Sequence, residues 1–442
     1  MHRIRALLQR RARGGDEHAG AFEMKSILKW VLAVVVVGVI IAATVPLWPV
    51  QSDYDEQAAK ATLEGNQTEL VARGKYLSAA ADCAACHQSP DGTPYAGGLP
   101  IDTPFGVIYG TNITPDPETG IGTYGSKDLF HAIVDGKRGD GTWLYPAMPF
   151  ASYHEMRQED SDAIFAFLQT QAPVARENLA PELGFPFNQR WLLSYWNLVN
   201  PKVSLPRSAS AEQTEGAYLT DVLGHCQECH TPRNILGGLK LSQAYEGSDL
   251  GGGIQGPSLT PTALAGRGWT AEDLRDFLSR GMSPQGTMTL EMYPVLQHST
   301  QYLSDADIAS IQTHLMGDEP LPSKDVQPTQ VTDTVAHAKG RDTYVALCAG
   351  CHGMDGGGKP HIAPPMVTNT SIRLPDPGNL LKVLLDGVEE QHYPNGEVMQ
   401  EMPGYSDLLS TQEVVDLANY LRSEWGGAAS SITSDDVDKV MN

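Results

Sequence analysis

The chain has 442 residues, with 31 Lys and Arg against 53 Asp and Glu, a formal net charge of −22. That balance excludes nucleic acid as a partner and argues against an anionic bilayer surface for the globular part. The length exceeds what one hydrophobic core serves and points to about three domains.

Residues 1–29 form a basic leader with Arg3, Arg5, Arg10, Arg11, Arg13, Lys25 and Lys29, and Trp30 to Val50 carries no charge. Such a run is long enough to cross the ~30 Å hydrocarbon layer of a bilayer. Acidic Asp53, Asp55 and Glu56 follow it, so the positive-inside rule puts the leader in the cytoplasm and the rest outside. We therefore expect a single transmembrane helix over 30–50. A cleaved signal is the competing reading, but Ala42-Ala43-Thr44-Val45-Pro46 is a poor small-X-small site. Met24 is an alternative start.

Downstream, one motif occurs three times: Cys83-Ala84-Ala85-Cys86-His87, Cys226-Gln227-Glu228-Cys229-His230 and Cys348-Ala349-Gly350-Cys351-His352. Together they use all 6 cysteines. Two thiols at this spacing can add to the two vinyl groups of one haem, and the adjoining histidine then ligates its iron. Zinc sites would need the pairs to combine into four-ligand sets, and redox pairs need no histidine. Attachment of this kind implies export from the bacterial cytoplasm.

The motifs sit in a repeated unit. Each follows a helical stretch that opens at a glycine: Gly74, Gly216 or Gly340. Each precedes a Gly/Pro-rich run and a recurring piece, Thr111-Asn112-Ile113, Pro257-Ser258-Leu259 or Pro364-Pro365-Met366. Helices are predicted next, from about Ser126 to Asp135, Ala271 to Arg280 and Gly378 to Asp386, each ending at a glycine. A closing helix carries apolar residues at helical spacing: Ile164, Phe167 and Leu168; Ile308, Ile311 and Leu315; Val414, Leu417 and Leu421. The expected architecture is all-α. It comprises the anchor, cytochrome c-type domains over 68–180, 208–320 and 334–426, an aromatic linker segment over 181–207, and a tail over 427–442. The aromatics Phe185, Phe187, Trp191, Tyr195 and Trp196 would pack the first unit on the second, or form a docking or quinone-binding face.

A histidine-held iron needs a sixth ligand, and a methionine thioether suits electron transfer. Met148 and Met402 each precede a proline in a loop ahead of the closing helix. In unit two the candidates are Met292, Met288 and Met282, and Met292 best matches the distance to the closing helix. His131, His154, His225, His298, His314, His337, His361 and His392 read as surface or loop residues.

With these features the chain resembles the three-haem cytochrome c subunits of bacterial membrane-bound periplasmic dehydrogenases, those of alcohol, gluconate 2- and aldehyde dehydrogenases. The most specific stretches are Ala96 to Asp116, Leu144 to Tyr153, Ser299 to Asp305 and Met402 to Trp425. The resemblance implies three covalent haem c groups on Cys83, Cys86, Cys226, Cys229, Cys348 and Cys351. Their irons would be held by His87, Met148, His230, Met292, His352 and Met402. It implies an electron-transfer subunit in the inner membrane with its haem domains in the periplasm, and no catalytic residues of its own. The catalytic partner would be of quinoprotein, flavoprotein or molybdenum type, and the acceptor ubiquinone or a downstream oxidase or cytochrome. The rival readings are a free-standing quinol-to-cytochrome carrier and a peroxidase-type haem enzyme, which would need one open sixth position.

Overall fold

The computed structural model describes residues 29–40, 44, 52–200, 214–329, 334–427 and 431–441. Three helical units follow one another, and the same crossing builds each. The first helix of unit one, Gln67–Ala80, starts at Asn66, whose side chain accepts from the Thr68 amide. Such a cap stabilises a helix by about 1 kcal/mol. This helix meets the closing helix Gln158–Leu168 at Gly74. There a Cβ would lie 1.9 Å from the Ala163 carbonyl oxygen. Gly216 meets Ser310 and Gly340 meets Asp416 in the same way, with 2.1 and 2.2 Å left for a Cβ. The recurring glycine is therefore a backbone contact point between first and last helix, where any larger residue would push the two apart.

The closing helices of units two and three are Asp305–Met316 and Thr411–Leu421. Each buries the apolar stripe expected of it. The middle helices span Ser126–Asp135, Ala271–Arg280 and Gly378–Asp386. Thr270 and Asp273 cap the second of these reciprocally. Gly136 and Gly281 end the first two with φ of 65° and 76°, the left-handed turn that releases the chain towards its methionine loop.

Two expectations are corrected. The fold is not all-α. Pro100–Thr103, Gly106–Tyr109 and Glu182–Leu183 form a three-stranded antiparallel sheet, and four further two-stranded pairs occur among the described residues. Behind the first two motifs the glycine-rich runs fold back on themselves and pair their extended arms, Pro100–Thr103 with Gly106–Tyr109 and Ser248–Gly251 with Ile254–Gly256. The transmembrane helix over 30–50 is overturned as well. No helix among the described residues is long and apolar enough to cross a membrane. The described helix at this end covers 29–40, a rise of about 18 Å at 1.5 Å per residue. The remainder of the run, apart from Thr44, lies outside the described residues.

Cores divide the molecule unevenly. Units one and two share a single buried cluster in which Leu77, Phe130, Ile164 and Leu168 join Tyr218, Leu223, Leu264 and Leu315. Polar contacts seal the seam. The Tyr218 hydroxyl donates to the fully buried Asp160 carboxylate at 2.7 Å, which Arg73 also holds. The Arg157 guanidinium lies over the Tyr218 ring, 4.0 Å from its centroid. Unit three has its own core around Tyr344, Leu381, Leu417 and Leu421, closed by Val437 and Val440 of the C-terminal helix Ser434–Met441. It meets unit two through a small cluster of Met288, Leu296, Tyr393 and Met399, and through polar links such as Trp269 Nε1 to Thr370 Oγ1 at 2.9 Å.

Candidate haem-attachment sites

Each motif folds as one short helix or helix turn at the end of the first helix of its unit. Cys83–His87 is helical, as are Gln227–His230 and Ala349–His352. The histidines share one arrangement. His87 Nδ1 lies 2.7 Å from the Thr111 carbonyl oxygen, His230 Nδ1 2.7 Å from that of Pro257, and His352 Nδ1 2.9 Å from that of Pro364. A carbonyl can only accept, so Nδ1 carries the proton and Nε2 is left with its lone pair. This is the outer contact that orients a metal-ligating histidine. Burial lowers the pKa of all three rings and keeps them neutral, as an iron ligand must be.

The residues whose carbonyls accept these bonds are the first residues of the recurring pieces seen in the sequence. Sequence reading found that recurrence but not its purpose, because a main-chain oxygen leaves no side-chain signature. One trace of it was readable. Gly110 and Gly256, just before Thr111 and Pro257, have their Cα against the carbonyls of Cys86 and Cys229, where a Cβ would stand 1.8 and 1.9 Å away. Unit three has Ala363 at this position.

The thiols fit neutral chemistry. Withdrawal from water pushes Cys83 and Cys226 up to about 12 and Cys348 to about 11, although parts of the first two residues remain exposed. A zinc site requires thiolates, which these surroundings disfavour, whereas a thioether is uncharged. No group of three or more metal-binding side chains occurs among the described residues. Paired thiols with an oriented, neutral imidazole beside each fit covalent haem.

The methionines occupy related places in units one and two. The Leu144 amide donates to the Gly136 carbonyl, and the Met288 amide to that of Gly281, both at 2.7 Å. Four residues on, the Met148 and Met292 amides each donate to the carbonyl three residues back, at 3.0 and 3.1 Å. Backbone register thus matches Met292, not Met288, to Met148. Met288 is fully buried against Tyr393 of unit three, whose hydroxyl donates to its carbonyl at 2.9 Å. Met402 reaches its core by another route, paired with Val388 in a strand pair behind the middle helix. Met282 pairs with Thr287 in the hairpin before Met288.

The first two motifs face each other. Helix Cys83–His87 packs on Met292–His298, the helix that Met292 opens. The Tyr153 ring meets His225 edge-on at 5.5 Å while its hydroxyl donates to the Ala81 carbonyl at 2.6 Å. Ser152 Oγ donates to Glu228 at 2.7 Å. The Cys86 and Cys229 thiols are close enough for the charge of one to raise the pKa of the other. Asp82 is buried here with Oδ1 unpartnered, and burial raises its carboxyl well above the ordinary range. Two histidines read as surface or loop residues are buried instead: His131 pairs with Asp135 at 2.8 Å, and His154 Nδ1 donates to the Val134 carbonyl at 2.9 Å. His225 is half-buried against the Tyr153 ring.

Comparison with known proteins agrees with this geometry. The cytochrome c family model matches residues 71–172 and 337–425, within units one and three. The cytochrome c subunit of a quinone alcohol dehydrogenase from Komagataeibacter europaeus is 36% identical over 396 residues, 84% of each chain. The gluconate 2-dehydrogenase cytochrome c subunit of Pantoea cypripedii is 38% identical over 393 residues, 83% of this chain and 88% of that one. A diheme cytochrome c-type protein of Cereibacter sphaeroides is 34% identical over 289 residues, 63% of this chain and 94% of that one.

Proposed function

We infer from one premise: this chain belongs to the family of cytochrome c subunits of dehydrogenase complexes. It is an electron-transfer subunit bearing covalent haem c, and not the catalytic subunit. On that footing the protein carries three haems, takes electrons from a separate catalytic dehydrogenase subunit and passes them to ubiquinone or an oxidase chain. The observation that carries the count is the orientation of His230. The family model does not reach unit two, yet His230 has the same carbonyl partner, the same neighbouring glycine and the same helix crossing as His87. The catalytic partner oxidises an alcohol, gluconate or another sugar, or an aldehyde. Because thioether attachment occurs outside the bacterial cytoplasm, the three units reside in the periplasm, at the inner membrane.

Haem iron, when bound, supplies one-electron redox chemistry. The residues do the rest. Thioethers from Cys83 and Cys86, Cys226 and Cys229, and Cys348 and Cys351 fix each porphyrin in its core. His87, His230 and His352 present Nε2 because Thr111, Pro257 and Pro364 hold Nδ1. Met148, Met292 and Met402 would each supply a thioether to one iron, and with all three irons so held a peroxidase is disfavoured. Denatured protein should retain haem through acid-acetone extraction at three per chain, and two or fewer in matured material would refute the count. Deleting the gene should abolish substrate-dependent oxygen uptake by membranes while dye-linked activity of the catalytic subunit persists. Unchanged oxygen uptake would refute the electron-transfer route.

A further inference from the structure

The segment after unit one shows a feature that electron transfer leaves unused. Three loop tips on one side of the molecule end in apolar side chains. Phe105 tips the hairpin between Pro100–Thr103 and Gly106–Tyr109 and is 41% exposed. Phe185, 83% exposed, and Phe187 tip the turn after Glu182–Leu183. Ile235, 96% exposed, and Leu236 tip the loop after the second motif. The tips belong to one surface. The rings of Phe105 and Phe187 lie 4.3 Å apart, Phe105 reaches Gly237, and Trp196 Nε1 donates to the Leu236 carbonyl at 2.7 Å. Trp191, Leu198 and Val199 extend it along the helix Leu193–Val199 and the turn before it.

Charge separates this surface from the rest of the chain. Residues 184–200 and 231–244 hold Arg190, Arg233 and Lys240 and no acidic residue, in a protein of net charge −22. Lys137 and Arg138 adjoin, because Arg190 donates to the Trp143 carbonyl in their hairpin. The nearby carboxylates are Asp102, Asp140, Glu182 and Glu228. Arg138 lies beside Asp140, Tyr109 holds Glu182, and Arg233 pairs with Glu228. Lys240 is exposed at the rim. Phe105 and Phe187 pack together, while Phe185 and Ile235 stand almost fully exposed beside them, which gives a rigid partner little relief to match. They suit a fluid medium that closes around each one. Tryptophan and phenylalanine with cations at the rim are the composition of a membrane–water interface.

We propose that Phe105, Phe185, Phe187, Trp191, Ile235 and Leu236 form a lipid-contact surface that dips into the outer part of a phospholipid bilayer, with Lys240 and Arg190 at headgroup level. Entry is about 5–10 Å, the depth usual for interfacial elements. The test uses the full-length holoprotein. Its native cysteines are taken up by haem, so a cysteine introduced by Phe185→Cys is its only free thiol. The same holds for Leu408→Cys on unit three, 64% exposed and outside this surface. Each variant reacts with a charged, membrane-impermeant maleimide, with and without phosphatidylglycerol–phosphatidylethanolamine vesicles. We expect vesicles to slow labelling at 185 at least tenfold and to leave 408 unchanged. Equal rates at 185 with and without vesicles would overturn the proposal. So would protection at 185 that appears only when the catalytic subunit is added, which would make this a protein-docking face. Labelling of the unsubstituted chain reports incomplete haem attachment and is scored separately by peptide mapping.

Discussion

Units one and two are two copies of one design folded into a single body, whereas unit three is a third copy that stands on its own core. Local architecture is the same in all three: glycine crossing, oriented histidine, closing helix. What differs is the seam. Between the first two it is a shared apolar core edged by polar contacts, and it includes the motifs themselves, with Tyr153 against His225 and Cys86 within the field of Cys229. Between the second and third it is mainly polar, one small apolar cluster beside hydrogen bonds that involve Gln255, Trp269, Tyr293, Gln297, Thr368, Thr370 and Arg373. A shared fold thus leaves open whether neighbouring copies act singly or together, and the residues at the seam decide it.

The strongest test removes one attachment site on either side of that divide. Cys226→Ala with Cys229→Ala should cost one haem and also loosen unit one, because both units draw on one core. Cys348→Ala with Cys351→Ala should cost one haem and leave the other two unaltered. Haem-to-protein ratios and proteolysis maps read both, and equal collateral damage would erase the distinction.

Ligand exchange comes next. Met292→His should lower one haem potential by on the order of 0.1 V or more, within the roughly 0.8 V that axial ligands command. Met288→His should leave all potentials in place and weaken the hold of Tyr393 on unit two. A potential shift in the second variant alone would reverse the assignment.

Crossing glycines give a smaller effect. Gly74→Ala and Gly216→Ala should each cost about 1–3 kcal/mol, as overpacking does, and lower the unfolding temperature of both joined units. Gly340→Ala should cost a similar amount confined to unit three. Calorimetry with separate transitions for the pair and for unit three would show this.

The mildest test is pH. Buried Asp82 has a raised carboxyl pKa, so the folded state binds its proton more tightly than the unfolded chain. Its stabilising contribution is complete below the ordinary carboxylate range and lost as pH rises through the raised value. Asp82→Asn should therefore stabilise the joined units at neutral pH and make no difference in acid. Asp436 in unit three is the opposite case. Hydrogen bonds from the Thr433 amide and hydroxyl hold it below its usual value. Its contribution is present at neutral pH and lost as pH falls through the lowered value. Thermal unfolding against pH for Asp82→Asn and Asp436→Asn, each set against the parent protein, should show slopes of opposite sign.

Much of this was legible in the sequence. The motifs, the three middle helices with their glycine ends and the closing helices depend on local spacing, and the structure places them where that spacing put them. Distance to the closing helix singles out Met292 in the sequence, and the register of Leu144 and Met288 sets it level with Met148 along the backbone. The strand pairs were not, because Pro100–Thr103 and its partners are short and owe their pairing to the hairpin rather than to an alternating pattern. The seam was not legible either. Tyr218 and Asp160 lie far apart in the chain, and nothing near either residue announces the other. His131 and His154 read as surface or loop residues because burial of a histidine depends on the packing brought to it from elsewhere in the chain.

The aromatic loop tips have a mechanical consequence. A body of net charge −22 whose apolar face is nearly balanced in charge has its negative charge concentrated on its other faces. Near an anionic surface those faces are pushed away, and this one is not. The repulsion reaches about 8 Å at physiological ionic strength, so it acts as a torque before any contact forms. The molecule would turn like a compass needle and arrive with Phe105 and Phe185 foremost.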